Sequence, residues 1–189
     1  MRKPKQTNYF IIGFALITSG LVIYSLAGKN LNYSSDPLPE DTDLLFTFGI
    51  EPKRYDYSFW IMENEEIPNW IISDPLKYRC ARVMKQKSKN YQVYCLQEAE
   101  STYQEIRHLE RILMESFPEP KKVTLISSRS HLFRIENLAE KYLPQQHEYF
   151  FHSLPEAISD KPDNFYEEWY HFHNQHLEVA KILWYTFWY

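Results

Sequence analysis

The sequence predicts a three-layer α/β fold, in which helices cover both faces of a mostly parallel sheet of about five strands. Short apolar segments alternate with longer segments whose apolar residues recur at helical spacing. Strands that alternate with helices form βαβ units, whose right-handed crossovers place helices on both faces of the sheet. Residues 43–189 are numerous enough to bury one core as a single domain.

The predicted strands are short, apolar or β-branched, and bounded by polar residues or proline. They cover residues 43–49, 69–73, 91–96, 122–127 and 148–152. The predicted helices follow them in alternation and cover residues 53–64, 76–87, 101–117, 129–142 and 164–185. The clearest helix is 101–117, because Ile106, Leu109 and Leu113 recur on one face.

Residues 9–27 contain no charged side chain and would span about 28 Å as a helix, close to the hydrocarbon thickness of a bilayer. This segment predicts one transmembrane signal-anchor helix. A cleaved signal peptide is the alternative, because residues 25–27 resemble a cleavage site with small residues.

Arg2, Lys3 and Lys5 precede this segment, so the positive-inside rule places residues 1–8 in the cytoplasm. We therefore expect a single-pass protein of the inner membrane with its domain on the extracytoplasmic side. Residues 28–42 are rich in Ser, Asn, Asp and Pro and read as a linker. The net charge of −4 and the absence of a basic block after Lys5 argue against a nucleic-acid partner.

Cys80 and Cys95 lie on a predicted helix and on the strand that follows it. An extracytoplasmic location permits a disulfide between them. Both positions also fall on apolar faces, where a free cysteine packs as a small hydrophobe. We favour two free buried thiols.

Ligands of open parallel sheets bind beyond the carboxyl ends of the strands. The segments that follow the first four predicted strands should therefore lie near one another. These segments are residues 49–51, 73–75, 96–102 and 127–131.

The segment after the fourth strand offers the best candidate chemistry. Ser127 and Ser128 begin a helix whose first N–H groups face the strand ends and suit an anion. His131 and Arg134 share the face of its first turn, so Arg134 could hold a carboxylate or phosphate while His131 transfers a proton. The alternative is an N-cap serine followed by solvated charges.

Thr102 and Glu105 have the spacing of a capping box, which explains both residues without a function. Glu100 would then simply favour the start of the same helix. The functional alternative places a carboxylate, Glu100 or Glu105, opposite His131 across the end of the sheet.

A histidine set near the C-terminus, His171, His173 and His176, suggests a metal site at first sight. Only two of the three would share a helix face, whereas a metal site needs convergent ligands. We expect packing or solvated histidines there and no metal site.

Four elements occur in the order found in one bacterial family. They are the first strand ending at Gly49, the turn at Ser73, the Thr102-x-x-Glu105 helix start, and the Ser127-x-x-x-His131-x-x-Arg134 element, spread over about residues 43–155. This pattern resembles the YdcF/SanA/ElyC family, whose members often have a membrane helix and a Rossmann-like domain linked to the cell envelope. The resemblance implies a divergent member.

The sequence departs from that family where Ile50 follows Gly49 and Asp74 follows Ser73, since the family carries more glycine at both turns. The resemblance therefore supports the fold more than an activity. One hypothesis is an enzyme with His131, Arg134 and Glu105 as catalytic residues and Gly49, Ser73, Glu100, Thr102, Ser127 and Ser128 as ligand contacts. The other is a non-catalytic envelope scaffold or binding module. No cofactor and no oligomeric state are indicated.

Overall fold

A computed structural model of the protein describes residues 18–20, 25, 34–49, 51–74, 78–97, 99–119, 121–155, 177, 180–181 and 183–184. Within them lies a five-stranded sheet whose paired strands are all parallel. The strands are β1 (Leu44–Thr47), β2 (Asn69–Ser73), β3 (Gln92–Leu96), β4 (Lys122–Ser127) and β5 (Glu148–Ser153). The predicted α/β fold with a parallel sheet is confirmed.

Four helices connect these strands, and each lies where the sequence predicts one. They are α1 (Pro52–Asn64), α2 (Tyr78–Gln86), α3 (Thr102–Ser116) and α4 (Arg129–Tyr142). Pro52 occupies the first turn of α1, where its missing N–H has no helical partner to lose. Ser101 caps α3 by accepting a hydrogen bond from the Gln104 N–H at 3.3 Å.

The strand order is β3-β2-β1-β4-β5, so the chain winds outward in both directions from the centre of the sheet. The α3 and α4 helices pack on one face with Leu44, Phe46 and Leu125. The α1 and α2 helices pack on the other face with Leu45 and Trp70. Successive β1 residues thus enter opposite cores, as the two-residue period of a strand requires. This is a doubly wound, Rossmann-like architecture.

Residues 34–42, part of the predicted linker, contact the sheet. The Asp36 N–H donates to Phe151 O at 2.9 Å, and the Phe151 N–H donates to Asp36 Oδ2 at 2.8 Å. Thr42 is buried, with its hydroxyl 3.1 Å from that of Thr124. The contacts of Asp36 cover the outer edge of β5, which would otherwise present unpaired backbone groups.

Cys80 and Cys95 form a disulfide that joins α2 to β3, with their Cα atoms 6.1 Å apart. The prediction of two free thiols was therefore wrong. Each cysteine alone suits an apolar face, but only the packing of α2 against β3 brings the two Cα atoms within bonding range.

Residues 9–27 lie outside the described residues except for residues 18–20 and 25. Among the residues that are described, no helix has the length and apolar character needed to cross a bilayer. The predicted helix at 164–185 lies mostly outside the described residues, and His171, His173 and His176 lie wholly outside them. The transmembrane prediction stays a prediction.

Candidate functional site

The candidate site lies where β1 and β4 end side by side. After β1 the chain turns toward β2, and after β4 it turns toward β5, so the two connections leave in opposite directions. A crevice opens at such a switch point, and ligands of doubly wound sheets bind there. Gly49 follows β1, and Ser127 with Ser128 ends β4 and begins α4.

Glu105 of α3 reaches this point as a buried carboxyl group. The Gly49 N–H donates to Glu105 Oε1 at 2.8 Å. The Ser73 hydroxyl also approaches the carboxyl and favours its ionised form, although its alignment falls short of hydrogen-bond geometry. A hydroxyl can rotate its proton toward such an acceptor, so the contact between Ser73 and Glu105 is attractive. Glu105 therefore joins the ends of β1 and β2.

Gly49 is required by this arrangement. A Cβ atom at position 49 would lie 2.8 Å from the backbone oxygen of Ser73 and 3.3 Å from Glu105 Oε1. Backbone cannot move aside as a flexible side chain can, so any larger residue would separate β1 from β2. The glycine predicted as a ligand contact thus permits a close approach between strand ends.

Arg54 is a site residue that sequence reasoning missed. It is buried in the first turn of α1, where Nη1 donates to Gly49 O at 3.1 Å and Nη2 donates to Ser128 Oγ at 2.6 Å. The guanidinium therefore bridges the end of β1 and the start of α4. A cation at a helix N-terminus is electrostatically unfavourable unless it is compensated, and that was the available signal.

Glu51, the N-cap residue of α1, supplies part of this compensation. Its Oε2 lies 2.9 Å from Arg54 Nε, an ion pair whose alignment falls short of a hydrogen bond. Its side chain is 30% exposed, against 8% for Arg54, so it forms the outer part of the pair.

Arg134 enters from α4, on the other face of the sheet from Arg54. It is buried, and its Nη2 donates to Thr102 Oγ1 at 3.0 Å and lies 3.3 Å from His131 Nδ1. A guanidinium can only donate, so His131 Nδ1 is the acceptor in this contact.

Electrostatically, the site combines the buried Glu105 carboxyl group with the charges of the Arg54 and Arg134 guanidinium groups. Burial raises the pKa of Glu105, while Arg54 and Arg134 act in the opposite direction. Burial also lowers the pKa of Arg54, and Glu51 and Glu105 oppose that change. An arginine stays charged in proteins, so the site holds two guanidinium charges, which the carboxyl groups of Glu51 and Glu105 oppose.

The other residues predicted as ligand contacts, Ser127, Ser128 and Glu100, have different surroundings in the structure. Ser127 is fully buried and its Oγ has no hydrogen-bond partner. Ser128 is the N-cap of α4, yet its hydroxyl accepts from Arg54 instead of capping the helix. Glu100 is exposed, and its N–H donates to Gln104 Oε1 at 2.7 Å, a contact of the helix start. Thus Gln104, and not Glu105, completes the cap of α3.

Tyr55 extends the network toward β2. Its hydroxyl donates to the Ser73 carbonyl oxygen, and the Arg79 guanidinium lies 4.4 Å from the centre of its ring. Burial raises the pKa of Tyr55 to about 12, so the phenol stays protonated at neutral pH. The end of β2 is therefore held by a neutral hydrogen-bond donor.

In the part of the chain that the structure describes, no group of His, Cys, Asp and Glu residues is arranged to hold a metal ion. The chain matches no protein-family model, and neither a curated protein nor a solved structure is significantly similar to it. Fold and site together define a doubly wound α/β protein with two buried arginines at its switch point.

Proposed function

We propose that this protein binds a small anionic ligand in the crevice between β1 and β4. The observation that carries the proposal is that two arginines on opposite faces of the sheet, Arg54 and Arg134, are both buried at the carboxyl ends of the strands near the Glu105 carboxyl. Burying a guanidinium is costly unless its N–H donors find acceptors, so two buried guanidinium groups at one edge of the sheet favour an anionic partner there. The start of α4 adds the favourable end of a helix dipole.

Binding without turnover fits these residues better than catalysis does. Glu105 is committed to the Gly49 N–H, and His131 already accepts from Arg134 through Nδ1. A general base needs an accessible lone pair within reach of the proton that it removes. Glu105 therefore acts as a positioning residue for the strand ends, and Arg54 and Arg134 are the groups that would face an anion.

We further propose that the domain lies outside the cytoplasm as a divergent YdcF-like envelope protein, anchored by residues 9–27. The Cys80–Cys95 disulfide supports this location, because structural disulfides persist in oxidising compartments. The positions of Gly49, Ser73, Thr102 and the Ser127 element at the strand ends support the family assignment. Accordingly, the ligand would be a small or lipid-linked anion of the envelope.

The binding proposal is tested with inorganic phosphate and the full-length chain in phosphatidylcholine nanodiscs. A ligand of the native state raises the unfolding temperature, so phosphate should do so at constant ionic strength. Arg54→Gln and Arg134→Gln should each remove most of this shift. Arg107→Gln is the matched control, because Arg107 forms an ion pair on the exposed side of α3. Equal shifts in all four proteins would contradict the proposal.

The location is tested separately by alkylating thiols in intact cells before lysis. A domain outside the cytoplasm should show no label on Cys80 or Cys95 until a reductant is added. Full labelling without a reductant would place the domain in a reducing compartment and contradict the envelope assignment.

A further inference from the structure

The carboxylate of Glu51 differs from that of Glu105 in what holds it. Glu105 is buried and bound to a backbone N–H, whereas Glu51 is 30% exposed and paired with the Arg54 guanidinium. A change of side-chain rotamer would return Glu51 to water, provided that an arriving anion takes its place on the buried Arg54 guanidinium. Glu51 is therefore the movable anion of the crevice.

Near this ion pair, the start of α4 offers further hydrogen-bonding groups that an anion would contact. The Ser128 side chain does not cap the helix, and the fully buried Ser127 Oγ has no partner. Ser127 lies on the sheet face of Leu125, which is the face that α3 and α4 cover, so it is on the same side as Arg134. An orphaned buried hydroxyl costs free energy, and a ligand oxygen would satisfy it.

We infer that the Glu51 carboxylate occupies the position of the ligand's anionic group on Arg54, and that an anion of the phosphomonoester class displaces it. This inference rests on the proposed function, because it concerns the same crevice. A tethered carboxylate competes at an effective concentration on the order of millimolar or more. A free monocarboxylate makes the same contact and gains nothing over it.

A phosphomonoester can compete with the tethered Glu51 carboxylate for two reasons. It carries about −1.5 to −2 charges near neutral pH and three strong acceptor oxygens. It can therefore accept from Arg54, Arg134 and the start of α4 together, whereas a carboxylate offers only two oxygens. Glu51 is thus a specificity-determining residue that excludes weaker anions.

The test compares phosphate and acetate binding to wild type, Glu51→Gln and Glu110→Gln by calorimetry at constant ionic strength. Glu110 is the matched control, since it pairs with Arg107 at 2.8 Å with the same three-residue spacing. We expect wild type to bind phosphate and not acetate. Glu51→Gln should bind phosphate about tenfold more tightly, which corresponds to about 1.4 kcal/mol, and should bind acetate measurably. Glu110→Gln should match wild type.

The outcomes separate this inference from the proposed function. Phosphate binding that Arg54→Gln abolishes and Glu51→Gln leaves unchanged would overturn the inference and leave the anion site intact. Acetate binding to wild type as tightly as phosphate would overturn the ligand class. A lack of phosphate binding in wild type and in Glu51→Gln would overturn both proposals. Circular dichroism of each variant ensures that only folded protein is compared.

A phosphomonoester could reach the crevice from solution or on a lipid. Glycerol 3-phosphate added to phosphatidylcholine nanodiscs represents the soluble source, and nanodiscs containing phosphatidic acid represent the lipid source. Stabilisation of the domain by either source, stronger in Glu51→Gln than in wild type, supports the inference and identifies the source. Failure of both would overturn it.

Discussion

At the carboxyl ends of the strands, Arg54 and Arg134 are 7% and 6% exposed around the buried Glu105. At the amino ends, Asp41 and Lys122 form an ion pair with side chains that are 70% and 36% exposed. Water screens the second set, so its members contribute little and are easily replaced. The first set has lost its water, so each charge there depends on its partners. Similar residue types therefore stabilise the two ends to very different extents.

The largest effect should come from Glu105→Ala. This change removes a negative charge that acts on the buried Arg54 and Arg134 guanidinium groups, and it leaves the Gly49 N–H without its acceptor. We expect the free energy of unfolding to fall by about 3–5 kcal/mol in urea denaturation. Glu110→Ala, on the exposed side of the same helix, should cost much less. Equal losses would mean that the carboxyl ends are as tolerant as the amino ends.

The disulfide near the carboxyl ends should have the next largest effect. Cys80 and Cys95 are separated by 15 residues, and Asp74 links the same two elements by accepting from the Cys80 N–H and donating to Leu96 O. Replacing both cysteines with serine should lower the free energy of unfolding by about 3 kcal/mol. Dithiothreitol should destabilise wild type to a similar extent and leave the double variant unchanged. A response of the double variant to the reductant would show that another cause is involved.

Gly49→Ala should follow, because the added Cβ would meet the Ser73 carbonyl at 2.8 Å. Overpacking of this kind costs about 1–3 kcal/mol, measured by urea denaturation. Gly20 is the control, since a Cβ there meets nothing within 4 Å. An unchanged stability for Gly49→Ala would show that the ends of β1 and β2 separate easily.

A smaller, pH-dependent effect is expected at the amino ends from His147. This ring is buried with both nitrogens unpartnered, and burial together with Lys121 lowers its pKa from 6.5. The unfolded chain then takes up the proton first, so stability should fall as the pH drops below about 6.5. His147→Phe should leave stability at pH 7 unchanged or raise it by up to about 1 kcal/mol, and should flatten the decline from pH 7 to pH 5. An equally steep decline in the variant would exclude His147 as its origin.

The smallest effect is expected for Asp41→Asn. The Lys122 ammonium lowers the pKa of this carboxyl through a direct contact at 2.6 Å, yet water surrounds both groups. We expect an unfolding midpoint within experimental error of wild type at physiological salt. A clear loss of stability would show that the amino ends depend on their charges as the carboxyl ends do.

The order of secondary-structure elements was predictable because it follows from local patterns. The β4 strand and the α4 helix begin and end where apolar spacing and β-branched residues placed them. The approach of Gly49, Ser73 and Thr102 toward one end of the sheet was also predictable, since parallel strands all end on the same side. The same rule predicts a ligand-binding segment at Ser127.

Arg54 was not predictable in this way, because its partners Gly49 and Ser128 meet it only when β1 and β4 become neighbours. The structural role of Glu105 was ambiguous in the sequence for a related reason. A capping box and a buried strand-end carboxyl have the same sequence spacing, and only the packing of α3 against β1 distinguishes them.

The sequence by itself determined which segments form strands and helices and which ends of the strands carry polar residues, because periodicity and turn residues act over a few positions. Tertiary structure alone decided the strand order, the pairing of Cys80 with Cys95, and the burial of Arg54 and Arg134 near Glu105. These depend on contacts between distant segments and on desolvation, which no local pattern encodes.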